Sequence, residues 1–265
     1  MNKQPYDYIL ITGASRGIGE AVARYFAIKG YFTILTARTE TDLARVKKEI
    51  LQEGGKADYI LSDLSNEESA RNLSLKLKKD YPFIKFIVLN AGISTNKDFY
   101  NQNEENFLNE LYINYVSPLI FLKTYLPEMV KRKEGKIVTI SSIAGTLPFP
   151  GNATYAASKA ALISISVTMN IELKKHNIYV GSVLPGLTRT EMTKEFDSNL
   201  LPFSEPLDIA LAVEEAFRTE KAIIIPGLVN NFITSIYKLF PEPLNSVAAI
   251  ISNFLFPSEN KKDAH

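Results

Sequence analysis

The chain has 265 residues, 46% hydrophobic and 22% charged, and its 30 basic and 29 acidic residues leave a formal charge of +1. So even a balance supplies no global field for nucleic acid or an anionic membrane. Cysteine is absent, which removes disulfides, thiol nucleophiles and thiolate metal sites together. The two histidines are His176, in a polar helix end, and His265, the last residue. A Ser-His-Asp hydrolase and a histidine-rich metal centre are therefore disfavoured.

Short apolar runs alternate with longer amphipathic segments. The runs lie at 8–12, 32–36, 57–61, 85–89, 136–140, 179–184 and 222–226, and most are rich in β-branched residues. They read as strands buried on both faces. Helical patterns occupy 17–29, 40–53, 66–80, 104–131, 154–176 and 206–218. This alternation predicts βαβ units and one doubly wound, mostly parallel sheet. The opening "MNKQPYDYILITGAS" reads as a strand entering a glycine turn, not as a signal peptide. No apolar run reaches the roughly 18 residues of a spanning helix. A single domain over 1–226 is expected, followed by an apolar helical extension and polar end over 227–265.

The first strand runs into "TGASRGIG", with glycines at 13, 17 and 19. Glycines let a backbone turn tightly and approach a pyrophosphate at a helix N-terminus, where free N–H groups and the dipole favour anions. The second strand ends "ILTARTE". An acid there would hydrogen-bond the ribose 2′-hydroxyl of NAD, but Ala37 holds that position and Arg38 follows. Arg38 and Arg16 together suit a 2′-phosphate through charge-assisted bonds. NADP(H) is the expected cofactor.

In order, "TGASRGIG" (12–19), "SDL" (62–64), "NAG" (90–92), Asn114 in "YINYVSP", "ISS" (140–142), "YAASK" (155–159) and "PGLTRT" (185–190) span roughly residues 6–226. This series resembles the short-chain dehydrogenase/reductase family. The usual "NNAG" reads "LNAG" here, with Leu89 in the strand. The resemblance implies a Rossmann-like, seven-stranded sheet flanked by helices and a hydride-transferring oxidoreductase. It implies a cofactor site at Gly13, Ser15, Arg16, Gly17, Ile18, Gly19 and Arg38. Asp63 and Leu64 would border the adenine, and Asn90, Ala91 and Gly92 the cofactor's middle. Pro185, Gly186, Thr188 and Thr190 would meet the nicotinamide, with Tyr155 and Lys159 beside it.

Reduction of a carbonyl builds negative charge on oxygen, which needs a proton and hydrogen-bond donors. Tyr155 can supply the proton, and Lys159 lies one helical turn away on the same face. That spacing places a cation to lower the phenol pKa. The small neighbours Ala156, Ala157 and Ser158 are expected to give a nicotinamide clearance. Ser142 ends a strand thirteen residues before Tyr155. Ser141 competes with it, and the family spacing selects Ser142. By resemblance Asn114 completes the set, holding a water that links Lys159 to solvent. Asn152 and Thr154 either cap the helix or touch substrate.

Residues 187–205 lack a clear period and are expected to cover the substrate. Met192, Phe196, Leu200, Leu201 and Phe203 make that cover apolar, pointing to an apolar ketone, aldehyde or ketoacyl-type compound. The apolar segments 228–240 and 244–256 have three readings: oligomer packing, a lid, or a peripheral membrane anchor with Lys238, Lys261 and Lys262. Packing or lid is favoured, with a cytoplasmic homodimer or homotetramer as the expected assembly. The alternative to an enzyme is a catalytically silent NADP(H)-binding sensor or scaffold of the same fold.

Overall fold

Alternate residues of the first strand feed two different cores. Ile9 and Ile11 pack with Val22 and Phe26 of one helix, whereas Leu10 packs on the opposite face with Phe121 and Met129 of another. A strand covered on both sides needs apolar residues at every position, which is why these runs show no polar alternation. The computed structural model describes residues 6–81, 83–194 and 203–246. Its strands are β1 (Tyr8–Thr12), β2 (Phe32–Ala37), β3 (Lys56–Leu61), β4 (Phe86–Leu89), β5 (Gly135–Ile140), β6 (Ile178–Val183) and β7 (Ile223–Ile224). They form one sheet in the order β3-β2-β1-β4-β5-β6-β7, every pair parallel.

The helices are α1 (Gly17–Ile28), α2 (Glu40–Gln52), α3 (Glu67–Asp80), α4 (Glu104–Leu111), α5 (Ser117–Arg132), α6 (Ala153–Leu173), α7 (Pro206–Thr219) and α8 (Leu228–Leu239). Residues of α1, α2 and α7 join one core, and residues of α3 and α5 the other. The strand order reverses between β1 and β4. A crevice opens there beyond the strands' carboxyl ends, where ligands of such sheets bind.

Three elements depart from the sequence reading. The single helix expected over 104–131 is two helices joined by a π turn, Tyr112–Val116, with Asn114 inside it. β3 is an edge strand and not buried on both faces: Leu61 is half exposed. β7 has two residues, ending before Pro226, which has no N–H to extend a ladder.

The helix α8 is inverted. Its buried residues are the polar Asn230 and Thr234, while Leu228, Phe232 and Leu239 are exposed. Asn230 accounts for this, because its side chain reaches the Pro226 carbonyl at 2.8 Å and seats against Gly186. The expected cover residues Phe196, Leu200 and Leu201 lie outside the described residues, as do 247–256, Lys261, Lys262 and His265. Among the described residues no helix is long and apolar enough to cross a membrane.

Candidate active site

The glycine turn follows β1. Gly13 and Gly17 adopt φ of +67° and +57°, a region that disfavours residues with a Cβ. Gly19 serves packing instead: a Cβ there would fall 2.2 Å from the Gly13 carbonyl oxygen. Arg16 occupies the N-cap position of α1, and its side chain makes no cap hydrogen bond. The first-turn N–H groups of α1 thus have no side-chain acceptor, the arrangement that receives an anion. Asn90 clamps the turn from the next strand, donating through Nδ2 to the Thr12 carbonyl at 2.9 Å and the Gly13 carbonyl at 3.2 Å. From α2, Arg45 donates to the Ser15 carbonyl at 3.1 Å while pairing with Glu20 at 2.7 Å.

A cavity of about 380 Å³ extends from this turn along the carboxyl edge of the sheet. Gly13, Ser15, Arg16, Gly17, Ile18, Ala37, Arg38, Asp63 and Leu64 line one end. Arg16 and Arg38 are exposed, and neither makes an ion pair within 4 Å among the described residues. Asp63 turns its carboxylate to the Ser65 N–H at 3.0 Å. Asn90, Ala91, Gly92, Pro185, Gly186, Thr188 and Thr190 line the middle. The loop after β6 touches the glycine turn, since a Cβ on Gly17 would meet Thr190 Cγ2 at 3.1 Å.

Ser142, Tyr155 and Lys159 line the far end. Burial raises the Tyr155 phenol to about 12, opposed by hydrogen bonding with Ser142 and reinforced by the charge of Glu110. Lys159 is 3% exposed, and burial lowers it to about 8. Its ammonium donates to the Ile140 carbonyl at 2.9 Å and stands 5.6 Å from the Tyr155 ring centroid. The spacing argument had Lys159 lowering the phenol pKa. In this geometry burial outweighs any such effect, because the ammonium points along the helix to β5. Ser141 is separated from Ser142 by its bond to the Lys159 carbonyl at 2.8 Å.

Asn114 lies beneath this end and is fully buried. Its Oδ1 accepts from the Ile93 N–H at 2.9 Å, and its Nδ2 donates to the Ile93 carbonyl at 2.9 Å and to Ser158 Oγ at 3.1 Å. A Cβ on Gly92 would lie 3.2 Å from both Asn114 Oδ1 and Lys159 Nζ, so these two groups converge under one glycine. π turns often sit at functional sites, and this one gives Asn114 its direction.

The clearance expected from Ala156, Ala157 and Ser158 is corrected. None of the three lines the cavity; Ser158 faces Asn114 and Ala157 is exposed. Ala156 and Ala157, one and two residues after Tyr155, point to other helix faces, and Ser158 is taken up by Asn114. The small side chains of α6 instead admit neighbouring backbone: Gly145 sits so near that its Cβ would be 2.8 Å from Ala160 N. Asn152 holds the N-cap position of α6 without a side-chain cap bond, and neither it nor Thr154 lines the cavity. Asn152 Oδ1 accepts from Ser94 Oγ at 2.5 Å, and Thr154 Oγ1 donates to Gln102 Oε1 at 2.9 Å. Ile93, Ser94 and Ile113 line the cavity without any motif to mark them. Adjacency to "NAG" and Asn114 was their only signal.

Residues 7–201 match the family model described as short chain dehydrogenase. A 3-oxoacyl-[acyl-carrier-protein] reductase of Bos taurus is 30% identical over 82% of this chain and 95% of its own length. A fatty acyl-CoA reductase of Acinetobacter baylyi is 32% identical over 94% of this chain and 85% of its own. Among solved structures, a short-chain dehydrogenase from Sphingobium yanoikuyae in complex with NADPH superposes with a TM-score of 0.80. It is 28% identical and the match covers 90% of this chain and 95% of that one.

Proposed function

The chain belongs to the short-chain dehydrogenase family, and on that premise we propose that it is an NADP(H)-dependent oxidoreductase interconverting a carbonyl and a secondary alcohol. The observation that carries this reading is one cavity with an anion-receiving glycine turn at one end and Ser142, Tyr155 and Lys159 at the other. The residues present fit the cofactor: Gly13 and Gly17 leave the backbone of the turn open, and the end of β2 carries Ala37 and Arg38 in place of an acid that would select a ribose hydroxyl. Arg16 and Arg38 would hold the 2′-phosphate, and the NADPH complex of the Sphingobium protein supports that preference. When bound, NADP(H) supplies or accepts the hydride.

The protein's own residues manage the oxygen. Tyr155 is protonated at neutral pH and donates its phenolic proton to the developing alkoxide. Ser142 donates a hydrogen bond to the same oxygen and holds it against the phenol. Lys159 places a positive charge beneath the site from a dry environment, where its field is little screened. Asn114 fixes the Ile93 backbone that walls the catalytic end.

The substrate proposed is an apolar ketone, aldehyde or ketoacyl compound. Ile93 and Met192 line the cavity, and the names of the bovine and Acinetobacter relatives both carry acyl substrates. The outward apolar face of α8 supports a homo-oligomer. The test is a panel of ketones, aldehydes and ketoacyl thioesters, read by loss of NADPH absorbance. Turnover of an apolar member is expected. Cofactor binding with no turnover across the panel would favour a silent NADP(H) sensor.

A further inference from the structure

Glu110 is 2% exposed at the end of α4, and the chemistry above gives it no part. Nothing in helix formation asks for it: an acid in a last turn opposes the helix dipole, and burying a carboxylate is costly unless it is well paired. Its partners are all donors. Oε1 accepts from the Thr95 N–H, and Oε2 accepts from Gln102 Nε2 at 3.2 Å. A carboxylate has only acceptors to offer, and both of its oxygens meet donors here.

Gln102 extends the chain of bonds. The same Nε2 reaches Thr95 Oγ1 at 2.9 Å, and its Oε1 accepts from Thr154 Oγ1 at 2.9 Å. Thr154 immediately precedes Tyr155. Ser94, which lines the cavity, is tied to Asn152 in the same helix entry. Segment 93–102 is therefore fastened at both ends, to a buried carboxylate on α4 and to the start of α6.

We propose that Glu110 is a positioning residue for the Tyr155 chemistry, its buried carboxylate fixing segment 93–102 against the start of α6 and supplying a negative charge behind the phenol. This rests on the reading of Tyr155 as the acid. Among the described residues, the charged groups around the phenol are Lys159 on its own helix and Glu110 on α4, with Arg16 and Glu191 farther along the cavity. The Ser142 hydroxyl reaches it from the end of β5. Glu110 opposes ionisation of the phenol, so removing its charge lowers the pH at which Tyr155 loses its proton.

The experiment compares wild type, Glu110→Gln and Gln102→Ala by two readouts. One is the pH profile of NADPH-driven reduction; the other is hydrogen exchange at the Thr95 amide, with and without NADPH. In Glu110→Gln the alkaline limb should move down by about half a pH unit, and the Thr95 amide should exchange about tenfold faster. Gln102→Ala keeps the charge, so its limb should stay in place while KM rises. A uniform loss of rate with the limb unmoved overturns the proposal, as does unchanged exchange at Thr95. Should Glu110→Gln fail to fold, Glu110→Asp retains the charge on a shorter arm. Faster exchange with an unmoved limb then supports the proposal, and a moved limb overturns it. Turnover surviving in Tyr155→Phe would defeat the acid assignment itself; an inactive Tyr155→Phe beside an unmoved Glu110→Gln defeats only the role of Glu110.

Discussion

The two ends of the cavity handle charge in opposite ways. At the glycine turn, Arg16 and Arg38 stand in water with no ion-pair partner among the described residues, and the anion-receiving groups are largely backbone N–H. At the catalytic end, Lys159, Asn114 and Glu110 are buried and each is held by specific hydrogen bonds. An exposed guanidinium costs the fold little and can be chosen for the ligand alone. A buried ammonium costs stability whenever it is charged, a cost the reaction accounts for. Selection of cofactor and execution of chemistry are thus separated along one groove.

Substitutions at the two ends should break this contrast in different currencies. The largest effect is expected for Tyr155→Phe, which should cut turnover by about 10³-fold while NADPH affinity stays within about twofold. Steady-state rates and fluorescence titration together check both halves of that statement. Next, replacing Arg16 and Arg38 with Ala together should weaken NADPH by about 100-fold and leave NADH unchanged, because two charge-assisted bonds to one phosphate are lost. Equal loss for both cofactors would remove the 2′-phosphate assignment.

Lys159→Met should raise stability as it abolishes activity. Lowering a lysine from 10.5 to about 8 corresponds to roughly 3 kcal/mol against the folded state, less about 1 for the lost Ile140 bond. The unfolded chain binds the extra proton between those two values, so wild-type stability rises with pH across that window. Below pH 8 the penalty is full, and the variant should gain about 2 kcal/mol in urea melts. A variant no more stable at pH 7, or one retaining the rise between 8 and 10.5, would contradict this origin. The smallest effect belongs to Arg45→Ala on the exposed side of the glycine turn, below about 1 kcal/mol because its ion pairs are solvated.

The sheet was legible because its strands are apolar at consecutive positions and its glycines mark the first turn. The ends of elements were less so. The break at Tyr112–Val116 is hard to read in periodicity, since each flank keeps its own helical pattern and the π turn only shifts the phase between them. Ser142, Tyr155 and Lys159 line one end of the cavity, as their motifs implied, and burial acts on the pair against the lowering that helix spacing suggested. Spacing along a helix reports which face a side chain occupies and says nothing of its burial or of the Ile140 carbonyl that holds the ammonium. The ties of Asn152 and Thr154 to segment 94–102 were invisible for a related reason: their partners come from 50 or more residues away.

The π turn at Asn114 has a consequence for how this chain tolerates length change. A π turn holds one more residue than the α-helix around it, so it behaves as an insertion stored within a helix. Deleting one residue between 112 and 116 would restore a continuous helix and rotate everything upstream by about 100°. Glu110 would swing out of its pocket, and Asn114 would no longer face Ile93 and Ser158. A frame-preserving deletion elsewhere on the surface shortens a loop. Here it would decouple α4 from the catalytic helix and leave the sheet intact, yielding a folded protein with a misassembled site.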